Sequence, residues 1–408
     1  MTLLLKSAGY VDNPHIQISG SKSETNRLLI LQALFPQIVL ENISDSDDSI
    51  LLSKALNSTQ EIIDIGHAGT AMRFLTSYFA LLVGRTVTLT GSHRMKERPI
   101  GYLVDALREL GSEIKYLEKE GFPPIRISGQ KFTKNKVALE ANISSQYVTA
   151  LLLIAPKLED GLEIELLGDI TSRPYIEMTL GMLSRIGIEY SFNRNTIKVS
   201  EPKSIRPTKI ECESDWSSAS YFYSIIALSK PGTTLTLSSF NEKSIQGDSL
   251  VKTIYKDLGV KTTFEGGLVK LLKIENRPSD VNLDLNDTPD LAQTIAVTCL
   301  GLGIGCELNG LHTLKIKETN RLSALHTELT KLGADVSITN DSLTLKPHAD
   351  IDSNVTISTY KDHRMAMAFA PLAVLVPIKI EDAEVVSKSY RNFWNDLSKV
   401  GLSAQKTE

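Results

Sequence analysis

One pattern recurs six times along this chain and restricts the folds open to it. A segment of alternating apolar and polar residues enters a junction of small or polar residues, then an apolar stretch of helical period, then a second β-like run. The first copy is HIQISG-SKSETNRLLILQALF-PQIVLENI, and five more begin at EIIDIG, KVALEA, PTKIEC, VNLDLN and NVTIST. Each copy is followed by an amphipathic helix. Five of these helices stop at glycine, namely Gly111, Gly187, Gly259, Gly333 and Gly401, and the first, SILLSKALN, stops at Asn57. Both residue types tolerate the left-handed backbone that closes a helix. The successive stops lie 54, 76, 72, 74 and 68 residues apart. Most are followed by a hairpin pattern, such as ADVSITNDSLTLKPH with Asn340 and Asp341 at its turn. The unit is therefore β-α-β-α-β-β.

Six such units in 408 residues carry more helix pairs than one core of ordinary size can cover, so the pattern predicts an α/β protein of two lobes with three units each. The lobes are expected at residues 20–213 and 214–408, with the crossover in the polar, proline-containing EPKSIRPTKIECESD. The first strand could serve either lobe; residues 1–19 are assigned to the second.

Composition narrows the class. Hydrophobic residues make up 42% and charged residues 23%, which excludes global disorder, and a net charge of −4 argues against a protein that coats nucleic acid. Cys212, Cys299 and Cys306 form no CxxC and sit beside no histidine cluster, so neither a disulfide framework nor a zinc site is expected, and a reducing cytoplasm fits. The N-terminal MTLLLKSAGYVDNP is too short in apolar residues for a signal peptide, and the longest apolar run, Met365 to Ile378, contains Pro371 and Pro377 and falls short of a membrane span. A soluble monomer without membrane or nucleic-acid partners is expected.

Polar residues that do not read as caps or solvated faces gather at the strand-to-helix junctions, where free N–H groups and the helix dipole favour anions. In the first junction Ser23 and Arg27 lie one turn apart, and Lys22 joins Arg27 as a second cation; a capping box of Ser21 with Glu24 is the structural alternative. Gly66 to Arg73 is rich in small residues that admit a ligand to the backbone or simply pack closely, and His67 reads as a cap or hydrogen-bonding residue. Arg94, Lys96 and Arg98 precede Pro99 at a helix entrance, either as a solvated charge run or as an anion site. Ser144, Ser145 and Gln146 enter an apolar helix, and Ser172 to Tyr175 repeat the proline-at-helix-start device. In the second half, Asp290 stands at a helix start as a dipole partner or a base. Lys317 and Arg321 are expected one helical turn apart at a helix N-terminus, an arrangement unfavourable to the dipole and therefore suggestive of a ligand. Asp362, His363 and Arg364 precede the long apolar run, and Lys388 precedes the last helix; each could be a salt-bridged cap. Cations at comparable junctions of both halves point to a cleft for two anions.

With these residues in view, the sequence resembles the EPSP synthase family of enolpyruvyl transferases: GSKSETNR, AGTAMR, RMKERPIG, SSQ, PYI, KETNR and DHRMAM occur in the family's order over essentially the whole chain. The resemblance implies a two-lobed inverse α/β barrel of six units, and transfer of the enolpyruvyl group of phosphoenolpyruvate to the 5-hydroxyl of shikimate 3-phosphate, in the aromatic amino-acid (chorismate) pathway, with no metal or organic cofactor. It implies that Lys22, Ser23, Arg27, Ser144, Ser145, Gln146, Ser172, Asp290, Thr313 and Lys317 meet the phosphoshikimate, with Tyr175 beside them. Phosphoenolpyruvate would meet Lys22, Gly69, Arg94, Gln146, Arg321, Arg364 and Lys388. Asp290 matches the base for the 5-hydroxyl, Glu318 the acid for C3, and Lys317 a partner in proton transfer. Three residues depart from the family pattern: Thr313 and His67 each stand where asparagine is common, and Phe74 where proline is. The family's inhibitor glyphosate occupies the phosphoenolpyruvate site, where Gly69 is kept. Two rival readings are an enolpyruvyl transferase acting on UDP-N-acetylglucosamine, which carries a reactive loop cysteine, and a non-catalytic anion-binding module.

Overall fold

A computed structural model describes residues 1–9, 11–142 and 144–407. The chain forms two compact units, one of Lys22–Cys212 and one of Met1–Ser21 with Glu213–Glu408.

In the Lys22–Cys212 unit the first copy gives helix α1 (Lys22–Leu34), strand Ile38–Glu41 and helix α2 (Asp47–Leu56). Ser46 caps α2 by accepting from Ser49 N, and Asp47 and Asp48 complement the dipole of its first turn. Only residues 57–61 separate α2 from the next copy, so the first copy has no terminal hairpin. The second copy runs through strand Ile62–Asp64, helix α3 (Gly69–Leu81), strand Thr86–Thr90, the one-turn helix α4 (His93–Lys96), helix α5 (Gly101–Leu110) and the hairpin strands Glu113–Tyr116 and Ile125–Ser128. Its first two strands pair in parallel and the hairpin adds antiparallel. The third copy repeats this with helices α6 (Ser145–Ile154) and α7 (Arg173–Arg185). Helices α1, α3 and α6, the first of each copy, pack on one another and are buried almost all round. The sheets cover them, which inverts the usual order of a sheet cored by its own strands.

The other unit holds helices α8 (Trp216–Leu228), α9 (Val251–Asp257), α10 (Ala292–Leu302), α11 (Arg321–Lys331), α12 (His363–Phe369) and α13 (Phe393–Lys399). Here α8, α10 and α12 take the buried place. No helix among the described residues is long and apolar enough to cross a membrane.

Two strands are exchanged between copies. Sequence order gives His15–Ile16 to the first copy and Thr208–Glu211 to the fourth. In the structure Thr208–Glu211 pairs in parallel with Ile38–Glu41, and His15–Ile16 pairs with Thr234–Ser238. The chain passes from one unit to the other twice, at 21/22 and 212/213, each time between a strand and the helix it feeds. The two passages are tied together by Ser21 N donating to Glu213 O at 2.7 Å and by Gly20 bridging Ser214. Strand Thr2–Ser7 lies between Ile378–Ile380 and Leu402–Thr407, antiparallel to both, and buries Leu3 and Leu5.

The five glycine stops adopt φ between +85° and +111°, where a side chain would be strained. Asn57 does not: its φ is −94°, and its side chain instead donates to Ser53 O. The hairpin at Asn340–Asp341 forms with Ile338 opposite Leu343.

Candidate active site

The buried helix triplet of the Lys22–Cys212 unit gathers its junction residues. Arg27 lies one turn into α1, and its Nη1 donates to Ser23 O at 2.8 Å. Nε reaches Thr179 Oγ1 at 2.9 Å, and Nη2 reaches the Tyr175 carbonyl at 3.4 Å, both on α7. The guanidinium also faces the rings of Phe74 and Tyr175 at 5.6 and 5.8 Å. Phe74, a departure from the family pattern, is thus a wall for Arg27. Burial brings the Arg27 guanidinium down to about 10, against the opposing pull of Tyr175 and Glu24. Lys22 stands 3.7 Å from Asp48 of α2.

Ser144 caps α6 by accepting from Gln146 N, and Gln146 Nε2 reaches Thr70 Oγ1, next to Gly69, at 3.4 Å. Ser145 is buried beside it. Ser172 precedes α7 in a left-handed conformation, φ +55°, with no capping bond from its side chain. Such a backbone in a non-glycine residue is costly and is held by its surroundings.

The basic run divides. Its first part, with Arg94 and Lys96, is itself the helix α4, capped by Ser92, whose Oγ also meets His67 Nδ1 at 2.8 Å, so His67 serves the cap. Pro99 precedes α5 by two residues rather than starting it. Arg94 is half-exposed and pairs with Glu97, and Lys96 pairs with Glu118. Arg98 turns inward, and its guanidinium lies against Gly69: a Cβ on Gly69 would meet Arg98 Nη1 at 2.2 Å. Arg73, also buried, donates to Gly69 O at 2.9 Å and Pro99 O at 3.0 Å. The resemblance gave a ligand to Arg94 alone; Arg98 was read only as part of the basic run, and Arg73 only as the end of the small-residue junction. The available signal was Gly69 itself, one turn before Arg73.

In the other unit a single guanidinium organises the candidate residues. Arg321, 1% exposed, donates from Nε to Asp362 Oδ2, from Nη1 to Asp290 Oδ1 and from Nη2 to Glu318 Oε2, each at 2.8 Å. Arg364 Nη2 donates to Asp290 Oδ2 at 2.7 Å, Lys317 stands 3.6 Å from Asp290 Oδ1, and Lys388 donates to Glu318 Oε1 at 3.0 Å. The expected helical turn between Lys317 and Arg321 is absent. Helix α11 begins at Arg321 because Asn320 caps it, accepting from Ser323 N, and Lys317 and Glu318 belong to the preceding loop. Asp290 lies in the 3-10 turn Pro289–Leu291 that leads into α10. Thr313 is buried with no protein partner for its Oγ1, which leaves that oxygen for a ligand or water. Asp362 caps α12, accepting from Arg364 N at 2.9 Å; it was read only as a cap, yet it also anchors Arg321.

Electrostatics follow from this crowding. Burial would raise the Asp290 carboxyl, but Arg364, Lys317 and Arg321 outweigh it and hold it well below the usual carboxylate range. Burial lowers Lys317 despite Asp290 and Glu318. Burial also works against the Arg321 cation, yet Asp362, Glu318 and Asp290 raise it above its ordinary value. Three carboxylates, Asp290, Glu318 and Asp362, already face the four cations Arg321, Arg364, Lys317 and Lys388, so an arriving anion competes with them.

All three cysteines are buried, and burial pushes the Cys212 thiol up to about 12. Cys299 is raised by its contact with Cys306 and by burial. Neither Cys212 nor Cys299 has the exposed, lowered thiol of a nucleophile.

Comparison with known proteins identifies the family. A sequence model of the family EPSP synthase (3-phosphoshikimate 1-carboxyvinyltransferase) matches residues 40–397. A 3-phosphoshikimate 1-carboxyvinyltransferase of Bacteroides fragilis is 45% identical over 96% of each chain, and one of Haemophilus influenzae 36% over 95% of this chain and 96% of its own. A solved EPSP synthase structure from Acinetobacter baumannii superposes over the full length of both chains with a TM-score of 0.80 at 19% identity, a likeness of fold. The chain belongs to the EPSP synthase (3-phosphoshikimate 1-carboxyvinyltransferase) family.

Proposed function

We propose that the protein transfers the enolpyruvyl group of phosphoenolpyruvate to the 5-hydroxyl of shikimate 3-phosphate, releasing phosphate. The observation that carries the residue roles is the fork of Arg321, which holds Asp290 and Glu318 on separate nitrogens of one guanidinium. Addition across a double bond needs a base at one end and an acid at the other. In this reading Asp290 takes the proton of the 5-hydroxyl as its oxygen bonds to C2, and Glu318, which takes up a proton from solvent as Arg321 and Lys388 turn to the substrates, delivers it to C3. The tetrahedral adduct then loses a C3 proton back to Glu318 while the C2–O bond to phosphate breaks, and the proton on Asp290 leaves with the phosphate.

As it stands, Asp290 is a poor base, because three cations hold its proton affinity down. Arg364, Arg321, Lys317 and Lys388 are the groups that two anionic substrates would engage. Each cation that turns from a carboxylate to a substrate oxygen raises the proton affinity of the carboxylate it leaves. Substrate binding would therefore activate the base. Lys22, Ser23, Arg27, Ser144, Ser145, Gln146, Ser172 and Thr313 are proposed to receive the phosphoshikimate, and Lys22, Gly69, Arg94 and Gln146 to contribute to the phosphoenolpyruvate site.

Phosphate release from phosphoenolpyruvate that requires shikimate 3-phosphate is the expected result. Release with UDP-N-acetylglucosamine instead would favour the sister transferase, against which the buried cysteines speak. No release with either acceptor would leave an anion-binding module.

A further inference from the structure

Asp248 belongs to no motif considered above. It sits in the single-turn 3-10 helix Gly247–Leu250, 3% exposed, and its Oδ2 accepts a hydrogen bond from Ser217 Oγ. Ser217 is the second residue of α8. Its Oγ is also 3.3 Å from Arg364 Nη2, the same nitrogen that donates to Asp290 Oδ2. A serine hydroxyl has one proton and two acceptor lone pairs. With the proton given to Asp248, Ser217 presents only lone pairs to Arg364 and can accept from it. With the proton turned away from Asp248, donor would face donor.

We propose that Asp248 is a positioning residue that, through Ser217, fixes the direction of the Arg364 guanidinium and so governs the capture of phosphoenolpyruvate. The proposal rests on the reaction assigned above.

The surroundings of Asp248 make the device titratable. Asp290 and Asp215 face it as like charges and Arg364 as the opposite one, whereas Lys252 of the adjoining α9 is directed to the Glu242 carbonyl and the Trp216 and Phe264 rings. Burial first, then Asp290, raise the Asp248 carboxyl to about 6. Above that pH it is an acceptor for Ser217. Below it the carboxylic acid can donate to Ser217, freeing the hydroxyl proton to oppose Arg364.

The test is the KM for phosphoenolpyruvate from pH 5.5 to 8.5, at saturating shikimate 3-phosphate, for the wild type, Asp248→Asn, Asp248→Ala and Ser217→Ala. Asparagine offers Ser217 the same neutral acceptor-and-donor pair as the protonated acid at every pH. Its KM is expected to be flat and close to the raised value that the wild type reaches on the acid side, whereas the wild-type KM falls several-fold toward pH 8. Asp248→Ala should raise KM several-fold at all pH values with a smaller change in kcat, and adding Asp248→Asn to Ser217→Ala should change nothing further. The substrate's own phosphate titrates alike for every variant, so the difference between profiles is the readout. Wild-type and Asn profiles that superimpose above pH 7, in an active enzyme, would overturn the positioning role alone. A wild type that releases no phosphate would overturn the assigned reaction, and this proposal with it. If Asp248→Ala fails to fold, the Asn profile decides.

Discussion

Replacing Asp290 with alanine separates binding from chemistry, and the structure supplies the sign of each effect. Asp290 accepts from Arg321 at 2.8 Å and from Arg364 at 2.7 Å. Two charge-assisted hydrogen bonds are lost, each worth about 1.5–3 kcal/mol. Arg321 keeps Glu318 and Asp362 and Arg364 keeps Ser217, while Lys317 loses its ion pair with Asp290. The fold should survive with a loss of about 2–4 kcal/mol, near the lower end for breaking a buried ion pair. For an incoming anion the change is favourable. A competing unit charge near 4 Å is worth roughly 4 kcal/mol at an effective dielectric of 20, so affinity for phosphoenolpyruvate should hold or increase. Loss of a general base should lower kcat by about 10²–10⁴-fold, or roughly 3–5 kcal/mol of barrier. Steady-state phosphate release gives kcat and KM, and calorimetric titration of phosphoenolpyruvate onto the complex with shikimate 3-phosphate gives affinity directly. Asp290→Asn, which keeps an acceptor for Arg364 without the charge, should show the same loss of kcat with less destabilisation. Equal losses in kcat and affinity, or an undiminished kcat, would refute the assignment of Asp290 as base.

Three further outcomes follow from the same geometry. Arg27→Lys replaces a fork bonded to Ser23 O, Thr179 and Tyr175 O with a point charge, leaving buried acceptors that cost about 1–3 kcal/mol each; a lower denaturation midpoint and a raised KM for shikimate 3-phosphate are expected, and an unchanged midpoint would contradict the packing argument. Gly69→Ala puts a Cβ where Arg98 Nη1 lies, and because that guanidinium is the end of a flexible chain the fold should tolerate it while the KM for phosphoenolpyruvate rises; an unaltered KM would show that the seat of Arg98 is immaterial. Asp248, near 3.8 when unfolded and raised to about 6 when folded, gives the native state an extra proton between those values, so its contribution to stability increases as pH falls from 6 toward 4; thermal melts over this range should show that slope reduced in Asp248→Asn.

What could be read from the sequence was what local chemistry dictates. The glycine stops at Gly111, Gly187, Gly259, Gly333 and Gly401 are visible because a left-handed residue is needed wherever those helices end, whatever surrounds them. The exchanged strands were not visible. His15–Ile16 and Thr208–Glu211 have the alternation of any half-buried strand, and alternation states which face is apolar without saying which sheet receives it. Arg94 and Arg98 are equivalent in the text of one basic run; only the missing side chain of Gly69 gives Arg98 room to turn inward. The deeper omission concerns the acids. Lys317 and Arg321 drew attention as cations placed against the helix dipole, and Arg364 and Lys388 as cations at neighbouring junctions, whereas Asp362 was read as a cap and Asp248 was passed over. Yet Asp362 anchors the Arg321 fork, and Asp248 lies behind Arg364 through Ser217. Asp290, Glu318 and Asp362 converge on Arg321 from three separate segments of the chain. A count of cations along the sequence suggests a trap waiting for anions. In the folded unit Lys317, Arg321, Arg364 and Lys388 each already face a carboxylate, so on the proposed function an anion would compete with a carboxylate in order to bind, and the carboxylate that loses its cation would be the one that gains the capacity to take a proton.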